Sequence, residues 1–421
     1  MAQKLRSRLF DVIPSIQTLV RWLLLAGCTG VACGIVGAAF TWSIAQATAL
    51  RLAHPWLLFL LPVTGLIIVL IYRACHMEDD RGTDLIIASV RGGQRPPLRL
   101  APLIFLSTVL THLTGGSAGR EGAALQMGGS LSAGIGRLLR LDEKNINTII
   151  QCGMTGLFSA LFGTPVTAVV FCLEVVNVGH FRYSALFPCL MSAMVADSIP
   201  RALGMPAEAY TLLGLPEMGP IPLLQCGGVA ILTAVVAMAF CSLMHQVGHL
   251  YKRYIPDQFQ RALVGGVLII VLTLAEGSGD YNGAGAHIIE LAIEGHVHVP
   301  WAFAWKMLFT ALTLGAGFRG GEIVPTLFIG STFGCAIGPL LGLDPAFSAA
   351  ISMIALFCGV VNCPLASIFL SIELFGYEGM LFFALACSLS YLLSGQFSLY
   401  ASQNIVYSKL EARLNDRYTG G

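Results

Sequence analysis

Charge is what this sequence has least of. Asp, Glu, Lys and Arg make up 11% of its 421 residues, against ~25% in soluble globular chains. With 56% hydrophobic residues and a mean hydropathy of +0.76, the polar surface is too small to coat a water-soluble domain. The chain therefore reads as an all-α polytopic membrane protein. No sustained basic stripe accompanies the net charge of +1, which excludes nucleic acid as a partner. Metal-ligand cysteine spacings are missing too. The twelve cysteines, among them Cys28, Cys33, Cys152, Cys172, Cys358 and Cys363, mostly stand singly in apolar runs and read as small buried hydrophobes. The pair His245 and His249, and His287, His296 and His298 further on, read as solvated residues, because a metal would need further ligands nearby. No metal and no cofactor is expected. A signal-peptide cleavage site is also lacking. Lys4, Arg6 and Arg8 precede the apolar run 19–50, which is far longer than the ~7–15 residues of a signal core. That run is expected to be a retained first transmembrane helix with its N-terminus in the cytoplasm.

What is present is a pair of glycine-rich loops. The first is Gly115-Gly116-Ser117-Ala118-Gly119-Arg120-Glu121-Gly122; the second is Gly315-Ala316-Gly317-Phe318-Arg319-Gly320-Gly321-Glu322-Ile323-Val324-Pro325. Each ends in a Glu and leads into an apolar segment with Gly-Ser eight and nine residues later, Gly129-Ser130 and Gly330-Ser331. A carboxylate inside a hydrophobic chain is costly and usually functional. The two loops are expected to meet and bind an anion. A helix start offers unpaired N–H groups and a positive dipole end, and two such starts could desolvate an anion without the tight grip of a Lys or Arg. An ionised Glu121 would compete with the anion for these donors, and protonation would remove the competition. The bland alternative is a structural Glu121–Arg120 pair.

Around the loops, 55–72 reads as a second span, 75–84 as a polar patch starting a short helix at 85–90, and 98–113, 122–139, 146–162, 165–178 and 183–199 as further apolar segments. Several are too short to cross a bilayer, which points to broken helices ending near the midplane. The long segment 223–251 opens the second half. The basic residues Arg137, Arg140, Lys144, Lys252, Arg253 and Arg261 are expected on the cytoplasmic side, and the acidic stretch 276–298 outside. Pro165 to Glu174 and Pro364 to Glu373 share one pattern, Pro, eight mainly apolar residues, then Glu, lying 44 and 42 residues after the loop Glu. An internal repeat of the inverted kind follows. The expected organisation is a cytoplasmic N-terminal segment (1–16), a first membrane repeat (17–205), a linker (206–221), a second repeat (222–395), and a C-terminal pore-associated helix with a cytoplasmic tail (396–421).

Two other chemistries share these letters. Gly115 to Gly119 is literally Gly-x-Ser-x-Gly with His112 upstream, so Ser117 as an intramembrane serine nucleophile is an alternative, although the elbow needs a preceding strand. A phosphate-binding loop fails because no Gly-Lys-Ser/Thr follows.

At these residues the chain resembles the CLC family of chloride channels and anion/proton antiporters. Gly119-Arg120-Glu121-Gly122 is similar to its gating-glutamate motif, and Gly321-Glu322-Ile323-Val324-Pro325 stands where a Gly-x-Phe-x-Pro motif is expected. The resemblance implies a CLC-type fold of two inverted repeats with broken, tilted helices, a homodimer with one pore per subunit, and a secondary active transporter rather than an enzyme. The departures bear on the substrate. Ala123 stands where chloride-type members have Pro, Ile323 where they have Phe, and Val175 where proton-coupled chloride members have a second Glu. Arg81-Gly82-Thr83-Asp84 takes the place of the Gly-Ser-Gly-Ile-Pro loop. These changes resemble the bacterial fluoride-exporting branch, although Val324 lacks the hydroxyl expected there. The resemblance thus implies fluoride/proton antiport through the inner membrane of a bacterium, with both termini cytoplasmic and a chloride channel or exchanger as the alternative. It assigns Glu121 as the proton-coupling gate, alone or with Glu322. The anion-lining set is Gly82, Thr83, Gly119, Arg120, Gly122, Glu322, Ile323, Val324 and Tyr400. Tyr400 is similar to the family's pore-facing tyrosine; an interface tyrosine is the competing reading.

Overall fold

The structure is a computed structural model that describes residues 2–296, 299–410 and 414–418, with side chains described for 16–296 and 299–410. His298 and the side chains of Lys4, Arg6 and Arg8 lie outside the described residues.

Among the described residues the chain forms sixteen α-helices in two sets of eight. The first set is α1 (Ala2–Ala53), α2 (Leu61–Ala74), α3 (Thr83–Val90), α4 (Leu100–Leu113), α5 (Glu121–Leu138), α6 (Glu143–Phe162), α7 (Pro165–Glu174) and α8 (Leu186–Ala202). The second is α9 (Pro220–Tyr254), α10 (Gln258–Glu276), α11 (Ala286–Ile293), α12 (Ala302–Gly315), α13 (Ile323–Ile337), α14 (Pro345–Val361), α15 (Pro364–Phe375) and α16 (Met380–Leu393). The sets match in order. The short helices α3 and α11 hold the same place, and Gly163 after α6 and Asn362 after α14 both take the left-handed conformation that ends a helix. Five helical stretches are long and apolar enough to cross a membrane, and exposed Leu24, Ile35, Leu70, Val235 and Leu274 give the long ones a lipid-compatible surface. The shorter apolar helices are tolerated because their polar ends are buried in protein.

The halves are related head to tail. Proline opens both α7 and α15, so the next two amides are orphans of the helix start. Glu373, near the end of α15, accepts from Val166 N (3.0 Å) and Thr167 N (2.8 Å) of α7. Glu174, the last residue of α7, accepts from Leu365 N (3.3 Å) and Ala366 N (2.9 Å) of α15. Each helix thus places a negative charge on the positive end of the other, which requires the pair to be antiparallel.

One expectation is corrected. No helix follows α16 among the described residues. The segment after Gly395 is irregular, and strand β2 (Asn404–Tyr407) joins β1 (Asn177–Val178) in parallel and β3 (Leu414–Tyr418) antiparallel. Side chains compete with helical bonding here: Ser402 Oγ donates to Asp84 Oδ1 (2.7 Å), Asn362 Nδ2 to Phe397 O (2.9 Å) and Ser398 Oγ to Gln403 Oε1 (2.8 Å). The second span begins with a 3₁₀ turn, Pro55–Leu60, before α2. The acidic stretch 276–298 contains a helix, α11, started after the left-handed Gly285.

Candidate functional site

Three helix starts converge at the middle of the chain's two loops. Helix α5 begins at Glu121 and α13 at Ile323, and their loops form a two-bond antiparallel bridge, Gly119 N to Gly321 O at 2.7 Å and Gly321 N to Gly119 O at 2.8 Å. The approach needs glycine: a Cβ on Gly122 would lie 2.8 Å from Gly321 Cα and 3.0 Å from Glu322 Oε2. Helix α3 adds the third start. Gly82 takes a positive φ of 62° before it, Thr83 Oγ1 faces Gly122 O at 3.5 Å, and Gln126 Nε2 donates to Thr83 Oγ1 at 3.3 Å. The first amides of each helix have no acceptor within it. Ile323 and Val324 form the first turn of α13, both buried.

Two carboxylates stand at this junction. Glu121 is 1% exposed and folds back over its own helix start, accepting from Arg120 N at 3.0 Å and Arg120 Nε at 3.2 Å. Arg120 also donates through Nη2 to Glu208 Oε1 at 2.8 Å. Glu322 is turned beside Gly122, and its Oε2 is buried without a hydrogen-bond partner among the described residues. Tyr400, 2% exposed, lies within electrostatic reach of Glu322 and Asp84. Its loop is held against α3 by Ser402 N on Asp84 Oδ1 at 2.8 Å.

The junction separates two cavities. One, of about 550 Å³, is lined by Arg51, Arg120, Glu121, Glu208, Tyr210 and Val324. The other, of about 780 Å³, is lined by Tyr72, Asp80, Arg81, Asp84, Arg261 and Arg319. Arg319, from the second loop, pairs with buried Asp80 at 3.0 Å and lies over the Tyr72 ring at 4.2 Å. A crossing of helix starts between two cavities, with a carboxylate folded onto the donors, is the arrangement of an anion pathway.

The sequence model of the family described as "Voltage gated chloride channel" matches residues 64–395. The chain belongs to this family. It is 37% identical over 419 residues, covering 97% of this chain and 91% of the relative, to the "Chloride/fluoride channel protein" of Pseudomonas syringae pv. tomato. With the "H(+)/Cl(-) exchange transporter ClcA" of Vibrio vulnificus it shares 26% identity over 394 residues, 85% of this chain and 83% of the relative. Among solved structures, a CLC-type fluoride/proton antiporter superposes with a TM-score of 0.88 at 30% identity, over 91% of this chain and 98% of the other. A slow cyanobacterial Cl-/H+ antiporter superposes with a TM-score of 0.74 at 23% identity, over 89% and 94%, and shares the fold.

Within this CLC chain, the nine residues expected along an anion path with Glu121 all lie at or beside the junction. Arg120 is turned between two acids, Glu121 and Glu208, on the side of the 550 Å³ cavity. The serine-nucleophile alternative is corrected: Ser117 Oγ pairs with Thr310 Oγ1 at 3.2 Å and His112 Nδ1 with Thr108 O at 2.9 Å, so the two are not a nucleophile and its base. Sequence reasoning missed Glu208, the Asp80–Arg319 pair, and buried Lys306. Lys306 Nζ donates to Tyr281 O (3.1 Å) and Gly283 O (2.7 Å). An isolated Lys within an apolar helix was the one available signal; Glu208 lay in a stretch read as linker.

Proposed function

We propose that this protein exchanges fluoride for protons, exporting fluoride from the cytoplasm as a secondary active transporter, with Glu121 as the protonatable gate. The observation that carries the reading is the Glu121 carboxylate on Arg120 N, seated at the helix starts where an anion would bind. Ionised, it occupies the donors; protonated, it loses the charge that holds it and yields them to fluoride. Flux should therefore rise as pH falls. Fluoride is small and strongly hydrated, so it needs close donors; the amides of Ile323 and Val324, with Thr83, are the candidates, and Gly82, Gly119 and Gly122 let backbone approach the ion. Glu322 and Tyr400 complete the wall, with Glu322 sharing the proton work that Val175 cannot do.

The identity to a chloride/fluoride channel protein and the likeness to a fluoride/proton antiporter support fluoride. A second reading, a chloride channel or exchanger on the same fold, is favoured by the word channel in the first of these names. The positive-inside rule supports the sidedness: Arg81, Lys252, Arg261 and Arg319 cluster at one cavity, which becomes cytoplasmic, in the inner membrane of a bacterium with both termini on that side. A homodimer with one pore per subunit completes the proposal.

Vesicles holding the purified protein, read with fluoride, chloride and pH electrodes, test it. Fluoride efflux well above chloride efflux, with proton counter-movement that disappears in Glu121→Gln, is expected. Equal chloride efflux would overturn the selectivity, and unchanged proton movement would remove Glu121 from the coupling.

A further inference from the structure

The stretch between the halves does more than connect them. Residues 203–219 carry no helix, yet their backbone is anchored in both repeats: Glu208 N donates to Phe162 O, the last carbonyl of α6, at 3.1 Å, and Tyr210 N donates to Leu374 O of α15 at 2.7 Å. These bonds set Glu208 at the wall of the 550 Å³ cavity, with its side chain 36% exposed. From there it reaches Arg120 Nη2 at 2.8 Å while Arg120 Nε remains on Glu121 at 3.2 Å. One guanidinium is shared by two carboxylates, one buried and one wet.

We infer that Glu208 is a positioning residue that sets the pH at which Glu121 releases, by dividing the charge of Arg120. The inference rests on the reading of Glu121 as the gate. A guanidinium has a fixed fork of donors, so the end bound to Glu208 orients the Nε edge toward Glu121. The negative charge of Glu208 also opposes a second negative charge on Glu121, so it favours the protonated, released gate. Without Glu208, the whole charge of Arg120 would serve Glu121 and hold it ionised in the latched position. Other groups face the same space: Tyr210 beside Glu208, Arg51 on α1, Asp280 and His287 on the cavity wall, and Glu290 near Tyr210. These act on Glu121 across the cavity, where water and salt screen them, and Glu322, beside Gly122 at the junction, is unchanged in every Glu208 variant. Glu208 instead acts through a guanidinium that touches both acids.

An ordinary surface ion pair adds little and tunes nothing. The difference here is that the exposed partner belongs to a backbone bonded to α6 and α15, so its Cα is held within reach of Arg120 and only its own side-chain torsions remain to be ordered.

The test is the pH profile of fluoride efflux from vesicles containing the full chain, at equal pH on both sides. Relative to wild type, Glu208→Gln should move the midpoint to lower pH by roughly half a unit or more, given a screened charge at close range. Glu208→Lys should move it further in the same direction, and Glu208→Asp should stay near wild type. A Glu208→Gln profile that superimposes on wild type, or that loses amplitude with its midpoint unmoved, would overturn the proposal and leave Glu208 a mere brace. Glu121→Gln, run alongside, separates the two readings. A flat Glu121→Gln profile with an unmoved Glu208→Gln midpoint rejects Glu208 alone, whereas a Glu121→Gln profile still dependent on pH rejects the gate and this inference with it.

Discussion

Gly119 and Gly321 exchange a pair of backbone hydrogen bonds, 2.7 and 2.8 Å long, that join two loops about two hundred residues apart in the chain. This short antiparallel bridge aligns the starts of α5 and α13 and fixes the distance between their free amides.

The first prediction concerns that spacing. A methyl group on Gly122 would lie 2.8 Å from Gly321 Cα, a backbone atom with nowhere to yield. Gly122→Ala should therefore push the loops apart, at a cost of about 1–3 kcal/mol for overpacking. Fluoride flux should fall at least tenfold, while the melting temperature in detergent drops by only a few degrees. Wild-type flux in this variant would show that the close approach is not needed.

Glu373 and Glu174 act on structure rather than transport. Each accepts two amides at the start of the opposite helix. Glu373→Ala should strand Val166 N and Thr167 N and destabilise the protein by about 1–3 kcal/mol, seen as a lower melting temperature. Its flux-pH midpoint should coincide with wild type, because Glu373 does not contact Glu121 or Arg120.

Glu322 should behave in the opposite sense. Its Oε2 is buried without a partner among the described residues, an arrangement that costs stability unless a proton or another donor occupies it. Glu322→Gln should keep or raise the melting temperature while lowering fluoride flux, the usual exchange of stability for function at a site. A variant with lowered stability and normal flux would assign Glu322 a structural role.

Lys306 holds the wall of the 550 Å³ cavity. Its Nζ binds the carbonyls of Tyr281 and Gly283 and stands 5.1 Å from the Phe328 ring centroid. Lys306→Met should leave both carbonyls unpaired and cost about 2–4 kcal/mol. Faster amide exchange in residues 279–285 of the variant than in the same residues of wild type would report the loosened wall; equal protection of that loop in both proteins would count against it.

Much of the fold was legible in the letters. Glycine-rich loops ending in Glu121 and Glu322 marked two helix starts, and Pro165 and Pro364 marked two more, because helix starts are written in a few consecutive residues. The low charge marked the membrane. The C-terminal segment was expected to hold a helix, but Ser402 and Gln403 bond to the distant Asp84 and Val361, and Ser398 bonds to Gln403.

The membrane class, the paired halves and the residues at the crossing were readable from the letters alone, since hydropathy, capping and repeat spacing are all local or periodic signals. Which charges meet is set by the folding of the chain. Arg120 reaches Glu208 across 88 residues, and Arg319 finds Asp80 in the other half of the chain. In an interior of low polarity a charge must find a partner, and which one it finds depends on where the folded backbone brings the two, a distance that no window of sequence contains.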